Sequence, residues 1–172
     1  MFAYRVLRLT AGALALVVPA TEANCATPLT PATADAVIIL PLTVTKLDDM
    51  DFGSLAPTTA GTAVLDPDTD TLSVTGGVTQ VGGSPHSAQF VGSAEANKVV
   101  NIKLPKQPVT LTRTGGSETM TATNFTLQNG YTKKTLAQMD SFTFRVGATL
   151  NVAAAQVEGT YVGTFDVTVQ YP

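Results

Sequence analysis

The chain has 172 residues, 44% of them hydrophobic and only 13% charged, which suits one domain with a sizeable core and excludes intrinsic disorder. A net charge of −3 leaves no basic field to attract nucleic acid or anionic lipid. Tryptophan is absent, Thr, Val, Gly and Ala dominate, and no long stretch is rich in Glu, Lys and Leu, so the composition favours strands over helices.

Arg5 and Arg8 precede an apolar run from Leu9 to Val18, followed by Pro19-Ala20-Thr21-Glu22-Ala23. A charged start, a short apolar centre and small residues at a cleavage site are the pattern of a Sec signal peptide over residues 1–23, with Ala26 as a second choice of cleavage point. The run is short for a bilayer span and no other segment is long and apolar enough, so an integral membrane protein is not expected. Losing Arg5, Arg8 and Glu22 takes the net charge from −3 to −4. Cys25, the only cysteine, then stands near the mature N-terminus, where no internal disulfide is possible. Glu22, Ala23 and Asn24 before it are not the small residues a lipoprotein site requires, which leaves a free thiol on a tail.

The tail over residues 24–33 carries Pro28 and Pro31 and is expected to be extended. Residues 34–47 read as one long extended segment, with Ala34, Ala36, Ile38, Leu40, Leu42 and Val44 on one face and Val37 and Ile39 on the other. Asp48 to Gly53 breaks this pattern as a bend. Short strands are then predicted near residues 62–65, 71–74, 87–91, 98–104, 109–112 and 118–127. Their separators are Asp66-Pro67-Asp68, Gly76-Gly77, Gly82-Gly83, Pro105, Pro108, Gly115-Gly116 and Asn129-Gly130. Residues 133–140 are the one stretch with room for a helical turn or two. From Ser141, Phe142, Phe144, Val146, Ala148, Leu150 and Val152 alternate with polar or small residues. Residues 159–172 form the last predicted strand: Tyr161, Phe165, Val167, Val169 and Tyr171 point one way, and Thr164, Asp166, Thr168 and Gln170 the other. Many short strands with regular turns predict an all-β sandwich or barrel. The sequence given stops on that last strand, which is expected to have an unfilled side.

No constellation for catalysis emerges. His86 is the only histidine and lies in a Gly-rich loop, Gly82 to Ser87, with no G-x-S-x-G elbow to present a nucleophile and no partners for a zinc site. Asp66, Asp68 and Asp70 alternate like the start of a calcium loop, but Thr71 stands where its glycine belongs and Gly77 where its bidentate Glu belongs. Asp48, Asp49 and Asp51 share one bend and read as solvated rather than as an acid–base pair. Phosphate-binding glycine loops are absent, and Asn124-Phe125-Thr126, though it fits a glycosylation sequon, carries no weight in a chain that reads as bacterial. The expectation is a protein without cofactor or metal that is not an enzyme.

The C-terminal strand resembles that of chaperone–usher pilins, which end on an alternating strand with a penultimate aromatic residue and a glycine fourteenth from the end. Tyr171 and Gly159 occupy those places here. The chain from about Pro41 to Tyr171 also resembles a family of secreted bacterial β-proteins catalogued as domain of unknown function 4402. The matching landmarks are Pro41-Leu42-Thr43-Val44, Asp51-Phe52-Gly53, Gly76-Gly77-Val78, Val146-Gly147-Ala148-Thr149-Leu150 and residues 159–165. Pro172 at the very end departs from the pilin pattern.

What the resemblance implies is an immunoglobulin-like antiparallel sandwich, occupying residues 40–172, that lacks its final strand. Donor residues of the N-terminal extension, residues 24–39, would be Ala32, Ala34, Ala36 and Ile38, with Val37 and Ile39 as the alternative phase. The groove strand would present Gly159, Tyr161, Phe165, Val167, Val169 and Tyr171. Partners would be further copies or sister pilins, a periplasmic chaperone and an outer-membrane usher, and the destination the periplasm and then the cell surface as a fimbrium, or secretion. The alternative is a monomeric secreted or surface-attached sandwich that binds carbohydrate or protein through its loops.

Overall fold

A computed structural model describes residues 35–38, 41–130, 135–137 and 141–172. The signal segment, Cys25, Ala32, Ala34 and Ile39 lie outside the described residues. Eleven strands follow in order: β1 (Thr43–Asp48), β2 (Ser54–Asp66), β3 (Thr71–Gly82), β4 (Ala88–Ser93), β5 (Lys98–Lys103), β6 (Val109–Arg113), β7 (Thr119–Leu127), β8 (Thr135–Ala137), β9 (Ser141–Val152), β10 (Tyr161–Val162) and β11 (Thr168–Gln170). All pairings among them are antiparallel, and the fold is an all-β, sandwich-like one.

The organising strand is β9, whose inward residues Phe142, Phe144, Val146, Ala148, Leu150 and Val152 are all buried. On one edge its first half pairs β4 (Ala88↔Val146) and its second half pairs β2 (Ala63↔Leu150); on the other edge it pairs β7 (Ala122↔Leu150). The changeover falls at Gly147, where a Cβ would sit 2.1 Å from the Leu65 carbonyl oxygen and 2.7 Å from Pro67 Cδ. Only a residue without a side chain lets β2 pass so close. The large sheet then continues from β7 through β6 to β10, with β1 on β4 and β3 on β2, and a second sheet runs β11-β5-β8.

Two hydrophobic clusters result. One joins Phe142, Phe144 and Val146 to Phe90, Val100, Ile102 and Leu127, with Val167, Val169 and Tyr171 packed against it, so β5 and β11 of the second sheet cover it. The other joins Ala148, Leu150 and Val152 to Phe52, Ala63, Leu65, Val78 and Met120.

Several elements differ from the sequence reading. Strand β3 runs straight through Gly76-Gly77, the expected separator: Gly76 takes φ +70° and sits against Ala60 and Gly61, absorbing a register shift in β2 rather than ending the strand. Of residues 133–140, where a helical turn or two is expected, only Thr135–Ala137 are described, and they form a strand, β8, on β5. Residues 35–38 have no regular structure, and the first strand begins at Thr43. The last strand is divided: Tyr161–Val162 pairs β6, Thr168–Gln170 pairs β5, and residues 163–167 pair with nothing among the described strands. Its inward–outward alternation nevertheless holds apart from the exposed Gly163, with 161, 165, 167, 169 and 171 half-buried and 162, 164, 166, 168 and 170 exposed.

Leu65, 1% exposed, and Gly147 test this packing from opposite directions. Leu65→Ala is expected to lower the unfolding free energy by about 2–5 kcal/mol. Gly147→Ala adds only one methyl yet is expected to cost about 1–3 kcal/mol, because the Leu65 carbonyl has to move. Urea unfolding followed by circular dichroism reads both.

Candidate functional site

The second cluster borders an apolar groove of about 1050 Å³. One wall is residues 49–57, the other residues 156–165. The floor holds Phe90 from β4, Val109 and Leu111 from β6, Met120, Ala122 and Phe125 from β7, and Leu150 and Val152 from β9. Phe90, Met120, Ala122, Leu150 and Val152 are already buried, while Val109, Leu111 and Phe125 are half-buried, so the floor is core-type and part of it is still open.

Both walls present unpaired strand edges among the described residues. Ser54–Pro57 of β2 pair β3 on one side, and only from Gly61 onward does β2 pair β9 on the other. Tyr161 and Val162 pair β6 and nothing on their outer side. A strand laid between these walls would therefore find backbone donors and acceptors as well as an apolar floor.

Each wall is fastened from behind. Asp51 and His86 exchange backbone hydrogen bonds of 2.9 Å in both directions, tying residues 48–53 to the loop before β4. The His86 ring places Nδ1 2.7 Å from the Ser84 carbonyl and Nε2 3.5 Å from the Asp48 carboxylate. The bond to Ser84, with Asp48, Asp51 and Asp70 nearby, raises the His86 pKa above its ordinary value. Asp70 accepts from the Ser87 backbone N–H (2.7 Å) and hydroxyl (2.6 Å), and lies 3.7 Å from Arg145; the Ser87 hydroxyl is the main cause of its lowered pKa. On the other wall, Gln156 Nε2 donates to the Tyr161 hydroxyl and that hydroxyl donates to the Val157 carbonyl, both at 2.7 Å. Gly159 takes φ +141° against the stem of Arg113, where a Cβ would come within 2.9 Å of Cδ. Arg113 Nε donates to Glu118 at 2.7 Å, holding that carboxyl down to about 2. A Lys46–Asp49 ion pair of 2.5 Å stands exposed at the groove rim.

Of the residues expected on the groove strand, Gly159, Tyr161 and Phe165 line this groove. Phe165 closes its end against Phe90 (centroids 6.3 Å) and Phe125 (5.1 Å). Val167, Val169 and Tyr171 instead pack on the covered cluster, and the Tyr171 hydroxyl accepts from the Glu95 N–H at 2.8 Å. Of the expected donor residues, Ala36 and Ile38 are described; Ile38 is 96% exposed and Val37, of the alternative phase, 86%. The wall residues Met50 to Pro57 and the floor were missed by sequence reasoning, which looked for the groove in one strand. The apolar Met50-x-Phe52 flanking Asp51 was the available signal.

The aspartates of the calcium-like run each have separate work. Asp66 accepts from the Asp68 N–H at 2.8 Å, Asp68 accepts from the Asn129 N–H, and Asp70 holds Ser87. Asn124 takes φ +49° at the bulge of β7, a conformation asparagine tolerates. Among the described residues no cluster of three or more His, Cys, Asp or Glu is placed to hold a metal ion, and no helix is long and apolar enough to cross a membrane.

A family model for a domain of unknown function, DUF4402, matches residues 42–171. The chain belongs to that family. The DUF4402 match takes in every strand from β1 to β11 and both groove walls. No curated protein and no solved structure matches the chain.

Because the folded pKa of His86 lies above its ordinary 6.5, its contribution to stability is complete below that pH and is lost as the pH rises through the raised value. His86→Gln is accordingly expected to lower the melting temperature of the DUF4402 domain more at pH 5.5 than at pH 8.5. An equal loss at both would remove the ion pair with Asp48 from the account of this wall.

Proposed function

We propose that the chain is a structural subunit of a chaperone–usher-type surface fibre, its groove accepting an extended segment from a neighbouring subunit. The observation that carries this reading is the groove, apolar on its floor and bordered on both sides by unpaired strand edges. Filling it buries the incoming segment's apolar side chains, at roughly 1.5–3 kcal/mol for each large one, completes the cover of the half-buried Val109, Leu111 and Phe125, and pairs the wall edges as well.

The donor in this reading is the N-terminal extension, residues 24–39, with Ala32, Ala34, Ala36 and Ile38 inward. The exposure of Val37 and Ile38 supports it, since two adjacent large aliphatic residues in water give a segment that gains by being covered. Donor and groove are different surfaces, so contacts run head to tail and extend into a filament. A periplasmic chaperone holding the groove before assembly, an outer-membrane usher, and export through the Sec route by the signal peptide over residues 1–23 complete the proposal. Further copies or sister subunits would be the neighbours.

Deleting residues 24–36 is expected to abolish polymerisation while leaving the groove able to bind a synthetic peptide of residues 27–39, which should raise the melting temperature. Electron microscopy and thermal melting read the two outcomes. A truncated chain that still forms fibres would remove the donor assignment. A stable monomer that ignores the peptide would leave the monomeric binding module as the better reading.

A further inference from the structure

Strand β3 is an edge: it pairs β2 along one side, and among the described residues no strand pairs the other. Folded proteins ordinarily protect a long edge with charge, proline or brevity. The other described edge strands are protected in this way: β1 carries Lys46 and Asp48, β10 is two residues long, and β8 and β11 are three each. Over its twelve residues, Thr71–Gly82, β3 contains neither a charged residue nor a proline. Its glycine bend at Gly76 leaves a regular arm, Thr71–Thr75, in unbroken register with Thr62–Asp66 of β2.

That arm is also incompletely covered. Leu72 and Val74 point to the second cluster but remain half-buried, while Thr71, Ser73 and Thr75 are exposed on the opposite face. A neighbouring strand would cover the two aliphatic residues and satisfy the free backbone groups together.

We propose that this arm pairs with the same arm of a second copy, antiparallel about Ser73. The register matches like with like: Leu72 meets Val74, Thr71 meets Thr75, and Ser73 meets Ser73, so aliphatic residues meet on one face and hydroxyls on the other. Charge selects the direction. In a parallel pair the two Asp70 carboxylates would face each other, whereas in the antiparallel pair each lies across from Gly76 and they stand about 20 Å apart along the strand, beyond the screening length. Such a contact is self-complementary and closes at two copies. It does not depend on the groove, so it would join whole fibres side by side or pair free subunits equally well.

The test places a single thiol on the two-fold. In a Cys25→Ser background, Ser73→Cys is expected to give an interchain disulfide at position 73 on mild oxidation, because paired Cα atoms in an antiparallel ladder lie within disulfide reach. Val81→Cys, exposed on the other arm of the same strand, is the control and should remain a free thiol. Peptide mapping identifies the bond whether the chain is monomeric or polymerised. Equal cross-linking of the two variants, or none at position 73, overturns the proposal. Ser73→Lys, which sets two like charges opposite each other, is expected to weaken self-association about tenfold in sedimentation velocity. Thr110→Lys, at an exposed position of β6 facing away from the groove floor, should leave it unchanged, and equal effects of the two would also overturn the pairing.

Discussion

The fold depends on one strand having three partners. Strand β9 holds β4 and β2 in succession along one edge and β7 along the other, so that its six buried side chains serve both hydrophobic clusters. Gly147 makes the succession possible by admitting the backbone of Leu65 to a distance no side chain would allow. Every other strand of the large sheet is placed relative to this one.

The groove follows from the same arrangement. The first half of β9 meets a second layer, supplied by β5 and β11, while its second half packs with Phe52, Leu65, Val78 and Met120 and meets Tyr161, away from the second sheet. The C-terminal segment crosses between these regions: it leaves β6 after Val162 and joins β5 at Thr168. Its aromatic residues follow this path: Tyr161 lines the groove, Phe165 touches both the groove and the covered cluster, and Tyr171 packs on the covered core. The groove is thus the part of the interior that the second sheet does not reach.

Much of this was legible in the sequence, for reasons that differ by element. Alternation over Ser141–Val152 gave β9 to the residue, because that strand is packed on one face and flanked by turn chemistry. The facing of residues 161–171 was equally readable. What alternation does not report is pairing, and residues 164–167 keep their phase without a partner among the described strands. The first half of β2 was lost because Ser54–Ala60 contains Pro57 and three alanine or leucine residues without regular spacing. Gly76-Gly77 has the composition of a turn, but in the folded chain it accommodates the bulge of β2. The groove floor was beyond reach of any local pattern, since its side chains come from four strands.

Strand β9 has a kinetic consequence as well. None of its three partners is its neighbour in sequence, and its pairing with β2 joins residues near 62 to residues near 151. A chain made from its N-terminus produces β2 and β4 well before, and β7 shortly before, the strand that unites them, and hairpins such as β2–β3 and β6–β7 form locally in the interval. Topologies dominated by such distant pairings fold slowly and expose apolar surface while they wait. The inward faces of Phe90, Met120 and Leu65 stay in water through that interval, so the time before β9 docks is when the chain is most open to misassociation.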